Sequence, residues 1–529
     1  MYKTRVLVVD DLPDARATLS GLLSDEGYDV RSASSRAEAL QVVDAERFHV
    51  AILDVRLDET DENNQDGLLL MHEVRKKDPT IAIIILTGHA NVKMVQEALQ
   101  PNREGVSPAF GFLEKSEADE LVEYVSRALE RTVRINTALG IQDSEQFLPQ
   151  LPGKIRFVST PKPPREQLVE EASELLRKLL FSCERIQIRP MQRGYSGAAV
   201  FEVIPWYRDR ERGEVLVAKI GEHPLVDKEI AMYKDLVRGR VGGHRLPTAL
   251  EDARTRSLSG ILYTFAGLGS ARDFATFYLH SDITVICPTL ENLFLETCFP
   301  WRRSSGFVYH NSDLREAYMQ LLRLDAGKLQ MRLDNTMGGR HPFRKDNGAE
   351  RIWLRDRIAL VNPIAFALAA NFHTDCSIST VHGDLNGYNV LVDHHNETWL
   401  IDFASTCQGP VLQDYASFET FLRLSLVTCE DHDLLYAWER ALFDAPDLCR
   451  PTSLPDLTGM PEIAKAHQAV LTLRRLAMQE CTEKFERPYL IGLLFNALKI
   501  LTIMNLPPAQ RDHALISAAL VAERLQTGA

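Results

Sequence analysis

The sequence predicts an α/β architecture in two parts: a doubly wound parallel sheet over residues 1–131, then a two-lobed α+β region with a helical carboxy-terminal lobe. Three observations predict it. Five short apolar runs alternate with helix-period segments at the amino terminus. A strand ending in a lysine, Val217-Ala218-Lys219, follows a proline-bearing connector. Far downstream, HGDLNGYNV (382–390) sets an acid and an amide five positions apart, and a second acid, Asp402, lies in the hydrophobic run WLIDFAS.

Composition bounds the reading. At 529 residues the chain is too long for one core, and two to four domains are expected. Hydrophobic residues at 45% and charged residues at 25% are ordinary for a soluble globular protein. The net charge of −13 argues against the basic face that nucleic acid requires, so no nucleic-acid partner is expected. No apolar run approaches the roughly 20 residues of a membrane span. Met1 leads directly into a strand without a secretory signal, so a cytoplasmic protein with no membrane partner is expected. The eight cysteines are scattered without a CxxC pair, which fits reduced, inert thiols and no structural zinc.

Within residues 1–131 the strands read VLVV (6–9), YDV (28–30), VAIL (50–53), IAIIIL (81–86) and AFGFL (109–113). Ala15, Leu19, Leu22 and Leu23 share one helical face, and Leu121, Val122, Val125 and Leu129 share another. Near-continuous apolar strands alternating with helices make a parallel sheet covered on both faces. Sites of such sheets lie beyond the carboxyl ends of the strands. Asp10 and Asp11 follow the first strand, Asp54 the third, Thr87 the fourth and Lys115 the fifth, so all five gather at that edge. Clustered carboxylates repel one another unless a cation neutralises them, and an all-oxygen set suits Mg2+. One carboxylate can then attack a phosphoryl group and form an aspartyl-phosphate.

These five residues, in this order, resemble the site of response-regulator receiver domains, a flavodoxin-like fold. The resemblance implies Asp54 as the phosphoacceptor and Asp10, Asp11 and Asp54 as the Mg2+ ligands. It further implies Thr87 and Lys115 as phosphate partners, and a sensor histidine kinase or phosphotransfer protein as phosphodonor. Homodimerisation through the receiver is a further implication. Phe112 fits the switch aromatic of the family, with a core phenylalanine as the other reading. The chain departs from the family in a longer, proline-free loop after Asp54 (RLDETDENNQDG) and in Ser116, where a proline is usual after the lysine.

Residues 132–165 read as a connector stiffened by prolines, and residues 166–529 as the second domain, with lobes at about 185–266 and 267–529. Leu168, Ala172, Leu175, Leu176 and Leu179 form a helical stripe. In RIQIRPMQRGYSGAAVFEVIP, Gly194, Ser196 and Gly197 form either a plain hairpin turn or a phosphate-cradling loop with backbone N–H groups free to approach a ligand. Lys219 ends the next strand, and Glu229 is its best helical partner, with Glu222 and Asp227 as rivals. Between Arg272 and Thr380 the sequence shows long helix-period stretches and no motif. From Pro461 to Gln526 it is helical in pattern.

HGDLNGYNV with the later Asp402 resembles the catalytic core of the aminoglycoside phosphotransferase and choline kinase group, relatives of the protein kinases. The resemblance implies an ATP and Mg2+ site. Asp384 would be the catalytic base, Asn389 and Asp402 the metal ligands, Lys219 the α,β-phosphate holder oriented by Glu229, and Gly194, Ser196 and Gly197 the phosphate loop. His382 would brace the loop, and Asp414 matches a structural acid of the group. The expected function is a two-component signalling protein. Its receiver, phosphorylated on Asp54, would regulate an ATP-dependent phosphotransferase acting on a small molecule or a protein. The rival is a non-catalytic phosphorelay scaffold with a nucleotide-binding pseudokinase as output.

Overall fold

The computed structural model describes residues 2–528 except 59, 62, 89–90, 102–106, 143, 192–196, 208–211, 239–244, 266–270, 304–306, 338–341, 346–349, 446, 451–455, 458–459, 482–484 and 504. Two compact units emerge: Met1–Lys228 with Thr248–Ala266, and Glu229–Pro247 with Gly267–Ala529.

The first unit opens with alternating strands and helices: β1 (Arg5–Val9), α1 (Pro13–Asp25), β2 (Asp29–Ala33), α2 (Arg36–Ala45), β3 (Val50–Leu53), α3 (Asp66–Lys77), β4 (Ala82–Thr87), α4 (Val92–Leu99), β5 (Gly111–Glu114) and α5 (Leu121–Ala128). The strands make one parallel sheet in the order β2-β1-β3-β4-β5. Alternation of side chains along each strand divides the core in two. Leu7, Val9, Ala51, Leu53, Ile83 and Ile85 pack with α2, α3 and α4 on one face. Val6, Val8, Val50, Ile52, Ile84 and Leu86 pack with α1 and α5 on the other. Both faces are buried, which is why these strands carry apolar residues at consecutive positions.

The segment expected as a connector contributes structure. Gly140–Gln142 forms β6, which pairs in parallel with β7 (Cys183–Pro190). It is the edge of a six-stranded sheet completed by β8 (Ala199–Tyr207), β9 (Leu216–Glu222), β10 (Ala249–Arg254) and β11 (Leu258–Thr264), in the order β10-β11-β9-β8-β7-β6. The apolar stripe of helix Arg165–Leu179 buries Leu168, Ala172, Leu175, Leu176 and Leu179 against Ile186, Ile188, Phe201, Ala218 and Ile220 of that sheet.

The same helix turns charges toward the amino-terminal sheet. Arg47, just before β3, lies 2.8 Å from Glu174, 3.7 Å from Asp78 and 3.8 Å from Glu171, and Lys178 lies 2.8 Å from Glu174. All five are buried. His49 joins this set. Its Nδ1 accepts the backbone N–H of Arg5 at 3.0 Å, so in the neutral ring Nε2 carries the proton, 3.1 Å from the Tyr2 hydroxyl. Burial pushes the His49 imidazole from 6.5 down to about 4, against the opposing pull of Glu174. A ring neutral in the fold binds fewer protons than the unfolded chain between those values. Its contribution is therefore present above pH 6.5 and lost as pH falls toward 4, on the order of 2–3 kcal/mol at full extent. Glu174, which burial pushes up but Lys178 and Arg47 hold down at about 2, adds a loss below pH 4.5. The protection of helix Arg165–Leu179 against hydrogen exchange, after correction for the intrinsic pH dependence of amide exchange, is expected to fall between pH 7 and 5, and His49→Gln is expected to flatten that dependence.

The second unit is mainly helical at its carboxy-terminal end, with Gln413–Leu424, His432–Phe443, Pro461–Glu480, Glu486–Leu501 and Pro508–Gln526 packed together. Inside lies an ionic set with no solvent exposure. Arg474 grips Glu419 through two bonds of 2.9 and 2.8 Å, and Arg423 meets Glu439 at 2.6 Å. Enclosed charges persist when paired and hydrogen-bonded, and this set ties together helices Gln413–Leu424, His432–Phe443 and Pro461–Glu480. The region 272–380, read as holding long helix-period stretches, also holds strands: Phe307–Asp313, Phe343–Lys345, Arg351–Leu354, Ile358–Val361 and His373–Val381. Several are only three or four residues long, too short to register a period of two. Among the described residues, no helix is long and apolar enough to cross a membrane.

Candidate functional site

The carboxyl edge of the parallel sheet gathers the first site. Asp10, Asp11 and Asp54 place one carboxylate oxygen each within 4.8 Å of one another. The Asp10 side chain accepts the backbone N–H of Leu12 at 2.9 Å, and the Arg16 guanidinium donates to the carbonyls of Asp10 and Asp11 at 2.6 and 2.9 Å, which fixes the turn after β1. Lys115 bridges the cluster, 2.7 Å from Asp10 Oδ2 and 2.6 Å from Asp54 Oδ2. Burial raises the Asp54 carboxyl above its ordinary range while the Lys115 ammonium opposes the rise. Lys115 is itself pulled down by burial, but its bonds to Asp10 and Asp54 more than compensate and raise it. Thr87 ends β4 and is buried at the same edge. Phe112 is half-buried on β5, packed against the α2–α4 side of the core, so the structure keeps both readings of it open. Three hard oxygen donors this close fit Mg2+, which would draw on Asp10, Asp11 and Asp54 and neutralise them for attack on phosphorus.

Gly67 is a residue that sequence reasoning passed over. A Cβ there would lie 1.7 Å from the carbonyl oxygen of Asp54, and its N–H donates to Val55 at 3.0 Å. Only glycine lets α3 start this close to Asp54. The Asp66-Gly67 pair opening a helical period was the available signal. In the long loop after Asp54, the Asn64 side chain takes over the tethering by accepting the Leu57 N–H at 3.0 Å.

Over residues 6–126 the chain matches the response regulator receiver domain family. Its amino-terminal domain is a response-regulator receiver. This receiver is 34% identical over 131 residues to the nitrogen assimilation regulatory protein NtrX of Azorhizobium caulinodans, a match covering 25% of this chain and 27% of the relative. It is 36% identical over 128 residues to the transcriptional regulatory protein GlrR of Escherichia coli, covering 24% of this chain and 26% of that protein. The crystal structure of the NtrX receiver domain from Brucella abortus is 34% identical and covers 24% of this chain and 98% of its own, with a TM-score of 0.20. The chain thus spans about a quarter of each curated relative, and the matched quarter is the receiver. Residues 323–502 match a different family, ternary complex associated domain 9.

That second match encloses the other candidate site. The loop after strand His373–Val381 is pinned from three sides. Asp414, in the first turn of helix Gln413–Leu424, accepts the backbone N–H groups of His382 at 2.9 Å and Gly383 at 3.0 Å. His382 Nε2 lies 3.0 Å from the Ile401 carbonyl, which ties the loop to the segment bearing Asp402. Gly383 has φ +80°, and a Cβ there would meet the Ser405 carbonyl at 2.3 Å. The Asn389 side-chain amide donates to the Asp384 backbone carbonyl at 2.9 Å and approaches its carboxylate at 3.5 Å, while the Asn389 backbone carbonyl accepts the Ile401 N–H at 3.0 Å. Asp402 sits at φ +65°. Asp384, Asn389 and Asp402 are thereby brought into one neighbourhood. Burial raises the Asp384 carboxyl, with Asp402 adding to the rise and His382 and Lys499 opposing it. A carboxylate and an amide oxygen beside a buried acid are hard donors of the kind Mg2+ takes; Asn389 and Asp402 would hold it, and it would supply charge neutralisation.

In the first unit, Lys219 is buried on β9 between Val200 of β8 and Ile261 of β11. Glu222, a rival partner for it, accepts the backbone N–H groups of Val158 and Ser159 at 2.7 and 2.8 Å. Asp227, the other rival, pairs with Arg254 at 2.7 Å and accepts the Ser259 hydroxyl at 2.6 Å. Glu229, which opens the second unit, is buried on helix His223–Met232. Gly194 and Ser196 lie outside the described residues; Gly197 has φ +78°, and its carbonyl accepts the Arg156 N–H at 2.8 Å.

Proposed function

We propose that this chain is a phosphorelay-controlled phosphotransferase, in which aspartyl phosphorylation at Asp54 by a sensor histidine kinase sets the activity of an ATP- and magnesium-dependent site at Asp384. The observation that carries the enzymatic half is the pinned loop. Two backbone N–H groups on Asp414, a left-handed Gly383 and the Asn389 bridge hold Asp384 rigidly beside Asn389 and Asp402. Positioning a base and two metal ligands is what phosphoryl transfer asks of a protein. Asp384 accepts the proton of an acceptor hydroxyl, and Asn389 and Asp402 hold the magnesium.

A second reading has its own support. The family matched over residues 323–502 is named for association with a ternary complex. A scaffold that binds nucleotide without transferring phosphate is the non-catalytic form of the proposal. Labelled ATP with magnesium, offered to the full chain with and without beryllofluoride, separates the two. The phosphotransferase reading expects label to leave ATP at a rate that beryllofluoride changes. Nucleotide binding with no label transfer or ADP release under either condition favours the scaffold.

A further inference from the structure

Lys115 leaves the receiver sheet at a weakly supported point. β5 is an edge strand, and its ladder with β4 ends at the pair Thr87–Glu114, one residue before the lysine. Beyond that pair the chain turns into a short 3₁₀ helix, Lys115–Glu120, whose backbone departs from helical geometry at Glu117 (φ −104°, ψ 20°). Ser116 leaves its own φ free, where a proline would fix it. Sheet and helix ladder therefore give little support to the residue whose ammonium reaches both Asp10 and Asp54.

Two glutamates supply the support. The Glu114 N–H donates to Glu117 Oε2 at 3.1 Å, and the Glu114 carboxylate accepts the Glu117 N–H in return. This reciprocal pair is a capping box, and it closes a ring over residues 114–117 with Lys115 inside it. The ring fixes where the lysine stem starts. The stem runs past Gly88, where an added Cβ would lie 3.9 Å from Lys115 Cδ, and its ammonium ends 2.7 Å from Asp10 and 2.6 Å from Asp54. A lysine stem has much rotamer freedom to lose, so a fixed origin decides how well its ammonium holds two oxygens at once.

We propose that the Glu114–Glu117 box positions Lys115, with Glu117 as a positioning residue of the acidic pocket. Through the box, Glu117 sets how strongly the ammonium contends with Mg2+ for the Asp10 oxygen. It also sets how firmly the ammonium grips a phosphoryl group on Asp54, and in this the inference rests on Asp54 as the phosphorylated residue. A lysine held at the sheet edge opposes entry of the cation, and the same lysine is in place for the anion once the cation is bound. Loosening the box therefore acts with opposite sign on the two ligands. General loosening of the domain would weaken both.

Calorimetry of the full chain, without nucleotide, reads both ligands. Magnesium chloride is titrated first, and the receiver's share of the heat is the part that Asp10→Asn removes. Beryllofluoride is titrated next, at saturating magnesium. In Glu117→Ala the receiver is expected to bind magnesium more tightly and beryllofluoride about 5-fold more weakly, the size of a lost cap. Glu117→Gln keeps both bonds of the box and is expected to match the wild type in both titrations. In a Lys115→Ala background, Glu117→Ala is expected to add nothing, because the residue through which it acts is gone. Glu117 is exposed, so its substitution spares the core.

Both ligands weakened together, both unchanged, Glu117→Gln behaving like Glu117→Ala, or an effect that persists without Lys115 overturns the box. Asp54→Asn is the reference for the reading beneath it. Beryllofluoride taken up equally by Asp54→Asn, or not at all by the wild type, sinks Asp54 as the phosphorylated residue, and the magnesium titration alone then decides the box.

Discussion

Asp54→Asn protein is expected to take up no phosphoryl label from acetyl phosphate, where the wild type gains one acid- and base-labile group. The attacking atom is a carboxylate oxygen of Asp54, and acetate leaves as the acyl-phosphate bond of the donor breaks. An amide oxygen in its place is too weak a nucleophile, so the loss is complete rather than partial. Asp10→Asn leaves the nucleophile and weakens only the metal site, and slower labelling with a higher magnesium requirement is expected. Lys115 sharpens this. Its ammonium lies within 2.7 Å of both Asp10 and Asp54, so it must yield the Asp10 oxygen when a divalent cation enters. Mass spectrometry of hydroxylamine-treated and untreated protein measures the label directly. Label surviving in Asp54→Asn would place the phosphoacceptor elsewhere.

Asp384→Asn is expected to slow phosphoryl transfer by about 10²–10⁴-fold, the usual cost of removing a positioned base. Magnesium-ATP binding should survive, because the Asn389 bridge to the Asp384 backbone carbonyl does not involve the lost oxygen. Asp402→Ala is expected to show the reverse pattern, losing metal-dependent nucleotide binding. Calorimetry with and without magnesium, paired with single-turnover rates, distinguishes the two variants. Equal ATP affinity in the wild type and Asp402→Ala would remove Asp402 from the metal site.

What could be read in the sequence follows from how far each determinant extends along the chain. β1, β3 and β4 declared themselves because burial on both faces makes consecutive residues apolar. The acidic cluster followed, since each of its residues ends a strand whose position was already fixed. The Asp384 loop was readable because Asp384 and Asn389 are close in sequence and Asp402 closes the next apolar run. Other determinants are single residues whose meaning lies in a distant partner. Arg47 and Glu174 are 127 positions apart, and a lone arginine before a strand carries no sign that it is buried. β6 is three residues long within a proline-bearing stretch, and it holds its place by pairing with β7 rather than by propensity.

A receiver borrowed from another chain would not transplant cleanly onto this one. Helix Arg165–Leu179 presents Glu171 and Glu174 to the amino edge of the parallel sheet, where Arg47 answers them. A foreign domain with an ordinary surface residue at that position would bury both acids with Lys178 as the only cation of the set near Glu174, at a cost of about 3–5 kcal/mol for a broken buried pair. Exchange of modules during evolution therefore meets a barrier here that a flexible tether would not impose. The receiver and the helix beneath it are expected to be inherited together, with changes at residues 47, 78, 171 and 174 occurring in step.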